Sequence, residues 1–211
     1  MVAMNIKIVS GIVTTILPFI AYAPYLRATW RGKIKPHPFS WIIWGSAAAT
    51  IGAVLLTAGG GWATWTQFSA ALLCFAVAAL AVKRKSRFAM KITRTDWTCL
   101  TLAAAALVLF VFAKNPLAAI ILLVATDNLA LIPTLIKVRA MPFSETQFMW
   151  WIQTVNAALV IVAIAHYNAT TLTQGVSNLV VNLTGLMFIV ICQYNFTHRQ
   201  KSAKSASNIL R

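Results

Sequence analysis

The sequence predicts an all-α integral membrane protein in which seven transmembrane helices form two parallel three-helix bundles joined by one further helix (3+1+3). Three observations lead to this prediction. The 211 residues are 60% hydrophobic and 10% charged, against about 45–50% and about 25% in soluble domains. Several apolar runs reach the roughly 18 residues that a spanning helix needs. A short motif in the first half of the chain also returns in the second half.

Seven apolar runs can be separated along the chain, each bounded by a polar or basic segment. The fourth run lies at the lower limit of about 17 residues for a crossing. The first run is expected to stay in the mature chain, because its positive charge follows the apolar stretch and Pro24 follows the small-residue triplet that a cleavage site would use. The predicted spans are 7–28, 39–58, 62–82, 97–113, 116–137, 145–166 and 172–194.

Basic residues predict the orientation of these helices. The chain has 18 Lys and Arg beside three acidic residues, a balance that in a soluble protein would suggest nucleic acid as a partner. The apolar runs exclude that partner, and the charge instead marks cytoplasmic loops. All but Lys7 and Lys114 fall in alternate segments, 27–37, 83–96, 137–144 and 195–211. We therefore expect a protein of the bacterial inner membrane, with its N-terminus outside and its C-terminus in the cytoplasm.

The repeated motif divides the chain into two similar units. The stretch "PYLRATWRGKIKPHPFSW" begins at Pro24, and its shorter relative "PTLIKVRAMPFSE" begins at Pro133. Each joins the first helix of a bundle to the second. In the later copy, Ser144 and Gln147 fit an S-x-x-Q capping box that would start helix 6. The predicted units are a first bundle (7–82), a basic linker with helix 4 (83–113), a second bundle (116–194) and a basic tail (195–211).

With a proline at the cytoplasmic end of helices 1 and 5 and a 3+1+3 plan over residues 7–194, the chain resembles the PQ-loop superfamily of SWEET-like transporters. Where that family has Pro-Gln, this chain has Pro24-Tyr25 and Pro133-Thr134. The resemblance implies transport of a small polar solute, sugar or amino-acid-like, by alternating access. Because prolines favour kinks in spanning helices, Pro24 and Pro133 are predicted hinges.

Polar residues within the predicted spans are concentrated in the second bundle and predict a substrate site there. Gln174, Asn178 and Asn182 recur at i, i+4 and i+8, on one face of helix 7 that ends near Gly185. Amides both donate and accept hydrogen bonds, so this face suits a polar solute; the alternative is that amides join helices to one another. The other predicted substrate-binding residues are Asn128, Gln153, Asn156, Trp44 and Trp151.

The resemblance assigns part of this site more closely. In SWEET-like proteins an Asn on helices 3 and 7 and a Trp on helices 2 and 6 surround the sugar, so Asn178 or Asn182 would take the helix 7 role. The corresponding residues on helix 3 are Ala71 and Phe75, and the symmetric partner amide is missing.

Asp127 is the one acidic residue near the middle of a predicted span. It lies 11 residues after Pro116 and 10 before Lys137, and no predicted span offers it a cationic partner. A lone carboxylate in such a place is expected to hold a proton. This predicts a proton-coupling role for Asp127; the alternative is a permanently protonated side chain that hydrogen-bonds neighbouring helices.

A receptor and an enzyme are the two alternatives to a transporter. A seven-helix receptor or retrieval protein of the same fold would bind its ligand without solute flux. An enzyme is not expected, because the sequence has no H-E-x-x-H motif, no Ser-His arrangement and no pair of buried acids. Cys74, Cys99 and Cys192 lack metal-binding spacing, so no cofactor or metal is expected. The bilayer, a small polar solute and protons are the predicted partners, and a homo-oligomer is left open.

Overall fold

The computed structural model describes residues 2–33, 36, 38–83, 94–112, 114–145 and 147–209. Within these ranges the chain is helical and contains no strand. The basic linker 84–93 lies outside the described residues. The helices are α1 (Val2–Trp30), α2 (Pro38–Ala58), α3 (Ala63–Lys83), α4 (Arg94–Val111), α5 (Pro116–Ala140), α6 (Gln147–Ala163) and α7 (Ala169–Ile209), with a 3₁₀ turn at Pro142–Ser144.

Within the described residues, some of these helices have the length and composition of membrane-spanning segments. Four are long and apolar enough to cross a bilayer: Asn5–Trp30, Trp41–Ala58, Ala63–Lys83 and Ala169–Gln200. Two shorter apolar helices cover Pro116–Thr126 and Gln147–Ala163. The all-α prediction is therefore confirmed, and the apolar helices support an integral membrane protein. The seven crossings and the 3+1+3 plan stay predictions.

The surface of the protein is apolar where a soluble protein would be polar. Leu72, Ile121 and Val180, on α3, α5 and α7, each expose at least half of their surface, and they belong to a large set of exposed aliphatic and aromatic side chains. Soluble monomers rarely expose contiguous apolar patches of more than a few hundred Å². Contact with lipid chains accounts for this surface.

The helices pack in two sets. In the first set α3 contacts both α1 and α2, and in the second α7 contacts both α5 and α6. The sets meet where α1 packs on α6 and α2 on α5, while α4 packs on α5 and α2. Gly45 and Gly52 allow α2 to approach α3 closely, because a Cβ at either position would lie 2.8 Å from the ring of Phe75 or Phe68.

The largest buried cluster lies where α2, α4 and α5 meet. Its residues are small or aliphatic, so the three helices can approach closely. The members are Ala47, Ile51, Val54, Leu55, Ala106, Ala119, Ile120 and Leu123.

Two helix ends differ from the sequence prediction. α7 continues to Ile209 instead of ending at 194, because 195–209 contains neither Pro nor Gly, the two residues that most disfavour helix. The capping-box prediction is wrong, since α6 begins at Gln147 itself. The Gln147 Nε2 donates instead to the Oε1 of Gln193 on α7, at 2.8 Å.

Candidate solute site between the two helix sets

A cavity of about 200 Å³ lies where the two helix sets meet. Since one water occupies about 30 Å³ in the liquid, it has room for a solute equivalent to roughly six or seven waters. The lining residues come from α1, α2, α5, α6 and α7, and they are Tyr22, Trp41, Trp44, Val124, Leu131, Met149, Trp150, Gln153, Gln174, Ser177, Asn178, Val181 and Asn182.

One wall of the cavity is the amide face of α7. Gln174, Asn178 and Asn182 all line it, as their four-residue spacing requires of residues that share a helix face. The Nδ2 of Asn182 donates to the Oδ1 of Asn178 at 2.9 Å and to its backbone oxygen at 2.8 Å. The Oδ1 of Asn182 and the Nδ2 of Asn178 take no part in these bonds. These bonds within α7 therefore fix the orientation of the Asn182 side-chain amide.

Three buried polar atoms of the lining have no hydrogen-bond partner among the described residues. They are the Nε1 of Trp150, the Oε1 of Gln153 and the Oε1 of Gln174. Gln174 exposes only 3% of its surface, so bulk solvent does not replace the missing partner. Because an unpaired buried polar group costs about 1–3 kcal/mol, three such atoms around one cavity make it the candidate site for a polar ligand.

The opposite wall is aromatic and comes from the first helix set. Trp41 and Trp44 stand at 89° to each other with ring centroids 5.2 Å apart. Tyr22 meets Trp41 edge-on, at 80° and 5.9 Å. Tyr22 and Trp41 are buried, whereas Trp44 is half-buried. These contacts hold the rings at fixed angles around the cavity.

The structure brings together five of the predicted substrate residues: Trp44, Gln153, Gln174, Asn178 and Asn182 line the same cavity. Asn156 is buried one turn beyond Gln153, and its Oδ1 also lacks a described partner.

Two predicted residues lie elsewhere. Trp151 exposes 54% of its surface, because it follows Trp150 by one residue and so points about 100° away from it around α6. Asn128 is likewise exposed. The side chains of Asp127 and Pro133 are outside the described part of the structure. Trp150 was missed by the prediction, although its i, i+3 spacing to Gln153 was a signal for it.

No protein-family model, curated protein or solved structure matches this chain.

Two loops at one end of the molecule are joined to each other, and we name this contact the loop clasp. It connects the α2–α3 loop of the first helix set to the α6–α7 loop of the second. Its hydrogen bonds run from Ala165 N to Gly60 O (3.3 Å), from His166 N to Gly59 O (3.0 Å) and from Asn168 Nδ2 to Ala58 O (2.7 Å).

The loop clasp depends on glycine and on one lysine. Gly61 adopts a φ of 61°, and a Cβ there would collide with that of Ala165. Lys7 of α1 donates from its Nζ to the backbone oxygen of Ala165 at 2.9 Å and lies 4.7 Å from the ring centroid of Tyr167. The loop clasp was not predicted from the sequence, although three consecutive glycines at 59–61 are a sign of close backbone approach.

Proposed function

We propose that the protein transports a small polar solute by alternating access between two three-helix repeats, α1–α3 and α5–α7, with α4 as the connecting helix. The observation that carries the proposal is the cavity between the repeats, with amides on one wall and three unpartnered polar atoms. A polar group left unpaired in the membrane interior is costly and marks a functional site. A solute that enters the cavity supplies the missing partners.

The arrangement of contacts supports the repeat. In each set the third helix, α3 or α7, contacts both the first and the second. Tyr22 and Leu131, each two residues before the repeated proline, both line the cavity. Gln67 in "WTQFSAALL" and Gln174 in "LTQGVSNLV" hold the same position in two similar stretches, and both are buried. These correspondences support a duplicated unit.

The loop clasp supplies the access control in this proposal. It joins the two repeats at the ends near Lys7, which the distribution of basic residues assigns to the outside. The proposed inward-opening state keeps the clasp closed, and the outward-opening state breaks it. Pro24 leaves the carbonyl of Ile20 without its helical hydrogen bond, and this favours bending of α1 at that level. A proline at position 133 would favour bending of α5 in the same way.

Proton coupling through Asp127 forms part of the proposal. Position 127 lies three residues after Val124 and four before Leu131, and both of these residues line the cavity. Residues spaced in this way share a helix face. A carboxyl group at this level would exchange a proton when the cavity opens to water on one side and bury it when the cavity closes.

Solute counterflow in proteoliposomes tests the proposal. A panel of labelled sugars, amino acids and amines is offered to the purified protein, to Ser177→Trp and to empty vesicles. Ser177 lines the cavity, so tryptophan there fills it and should abolish flux. Thr184→Trp places the same side chain on the exposed face of α7 and should leave flux intact. Tight binding without flux for every solute would instead favour a receptor or retrieval protein.

A further inference from the structure

We propose that the cavity selects an organic ammonium cation, a small alkylammonium that carries one hydrogen-bond-accepting oxygen. This inference rests on the proposed function, because it takes the cavity as the solute site and assigns the chemical class of the solute. The aromatic geometry, the unpartnered atoms and the charge of the lining lead to it independently.

The aromatic wall has the geometry of a cation-binding corner. Tyr22, Trp41 and Trp44 line the cavity and meet at angles of 80° and 89°, so neighbouring rings are nearly perpendicular and do not stack face to face. The face of an aromatic ring carries negative charge density, and Trp binds cations more strongly than Tyr or Phe. Trp150 and Met149 of α6 extend this wall. A methylated or alkylated ammonium group fits such a corner through both its charge and its apolar surface.

The described cation–π contacts of the protein's own basic residues involve rings outside the cavity. Lys7 lies over Tyr167 and Lys83 lies over Trp30, at 4.7 Å and 5.3 Å from the ring centroids. Neither ring belongs to the cavity lining. No charged residue is among the described residues that line the cavity, so an anion would find no cation there to bind it.

The unpartnered atoms of the lining specify the remaining groups of the solute. Two of them, the Oε1 of Gln153 and the Oε1 of Gln174, are carbonyl oxygens. Any ammonium group offers them positive charge, and one that is not fully alkylated also offers N–H donors. A carboxylate or a phosphate has only acceptors and would be repelled by both. The third atom, the Nε1 of Trp150, is a donor, and a single hydroxyl or ether oxygen on the solute would accept from it. The cavity volume limits this solute to a few carbon atoms.

The test compares choline with 3,3-dimethyl-1-butanol, in which a carbon atom replaces the ammonium nitrogen and the shape is unchanged. Thermal unfolding of the full chain in detergent is followed with each compound, with tetramethylammonium, and with glucose and acetate as probes of the competing classes. We expect choline to raise Tm by roughly 5 °C at saturating concentration. We expect choline to bind about thirtyfold more tightly than its neutral isostere, the ratio that a desolvated cation–π contact implies.

Substitutions at Trp44 separate the aromatic contribution from general packing. Trp44→Phe should weaken choline binding and Trp44→Leu should weaken it further, following the order of ring charge density. Trp65→Leu removes a tryptophan that exposes 50% of its surface on α3 and should leave binding unchanged. Trp44→Phe also keeps the test valid if the leucine variant fails to fold. Equal binding of choline and its isostere, or equal binding by Trp44→Phe and the wild type, would overturn the inference.

The outcomes distinguish this inference from the proposed function. If choline binds through Trp44 but is not moved across proteoliposomes, transport fails and the ammonium site stands. If glucose, but neither choline nor tetramethylammonium, stabilises the protein and is transported, the ammonium inference fails and transport stands. Stabilisation by acetate alone would overturn the charge argument itself.

Discussion

At Gln174, the same unpaired carbonyl is expected to lower the stability of the protein and to bind the proposed solute. Its side chain is almost wholly buried, and its Oε1 has no described partner. Gln174→Met keeps the shape and removes the unpaired carbonyl, so the free energy of unfolding should stay equal or rise, by up to about 1–3 kcal/mol. Solute uptake should fall about tenfold or more, since 1.4 kcal/mol of lost binding is a factor of ten. Thermal unfolding and proteoliposome uptake measure the two effects.

Thr184→Val is the matched control for this prediction. Thr184 lies on the exposed face of α7, so exchange of its hydroxyl for a methyl group should change neither uptake nor Tm by much. A Gln174→Met variant that loses stability but retains uptake would show that Gln174 is a packing residue and not part of a solute site.

Gly185 controls the position of Trp150, and through it the shape of the cavity. A Cβ at Gly185 would overlap the indole of Trp150. Gly185→Ala should therefore push the ring into the cavity, lower the free energy of unfolding by about 1–3 kcal/mol and abolish uptake. Gly175→Ala is the control on the same helix, because its Cβ would lie 3.1 Å from the Cγ1 of Ile161 and 3.4 Å from the Cδ1 of Ile164, without the overlap found at Gly185. Equal Tm values for the two variants would contradict this account.

At the scale of elements, the loop clasp is the joint that the proposed transport cycle must break. Asn168 both caps α7, where its Oδ1 accepts from Thr171 N at 3.0 Å, and donates to Ala58 O. Asn168→Asp keeps the cap, because Asp and Asn cap equally well, but it removes the donor. Loss of about 1 kcal/mol should shift the balance toward the outward-opening state about fivefold.

Labelling of a cavity cysteine measures this shift. With the native cysteines replaced, Ser177→Cys should react with an impermeant maleimide several-fold faster when Asn168→Asp is also present. Asn115→Asp is the control, because the Asn115 Oδ1 caps α5 at Ala118 N with the same chemistry and takes no part in the loop clasp. Equal acceleration by both variants would mean that the added charge, and not the broken contact, is responsible.

The elements also show what a sequence can predict. The amide face of α7 followed from spacing, because residues four apart share a helix face whatever surrounds them. The choice between Trp150 and Trp151 did not follow, since it depends on how α6 is rotated against α7. The loop clasp was also missed, because most of its bonds join backbone atoms, which every residue has. The Gln147–Gln193 bond lay beyond prediction for a third reason: a local capping pattern competed with a partner 46 residues away.

At the scale of the whole molecule, the two helix sets contribute different chemistry to one cavity. The first set supplies the rings of Tyr22, Trp41 and Trp44, while the second supplies the amides of α6 and α7. In the proposed repeat, the positions on α3 that correspond to Asn178 and Asn182 are Ala71 and Phe75. Ala71 is buried and Phe75 is exposed, and neither is among the residues that line the cavity.

Coupling between the two sets and a proton is tested with Asp127→Asn. If one proton moves with or against each solute molecule, a gradient of one pH unit supplies about 1.36 kcal/mol, enough for roughly tenfold accumulation. Wild-type proteoliposomes should therefore change their uptake when a pH gradient is imposed. Asp127→Asn should still exchange labelled for unlabelled solute but take up solute equally with and without the gradient.

Asp96→Asn, the same chemical change near the start of α4, should respond to the gradient as the wild type does. An Asp127→Asn variant whose uptake still follows the gradient would place the coupling group elsewhere and leave Asp127 as a hydrogen-bonding residue between helices.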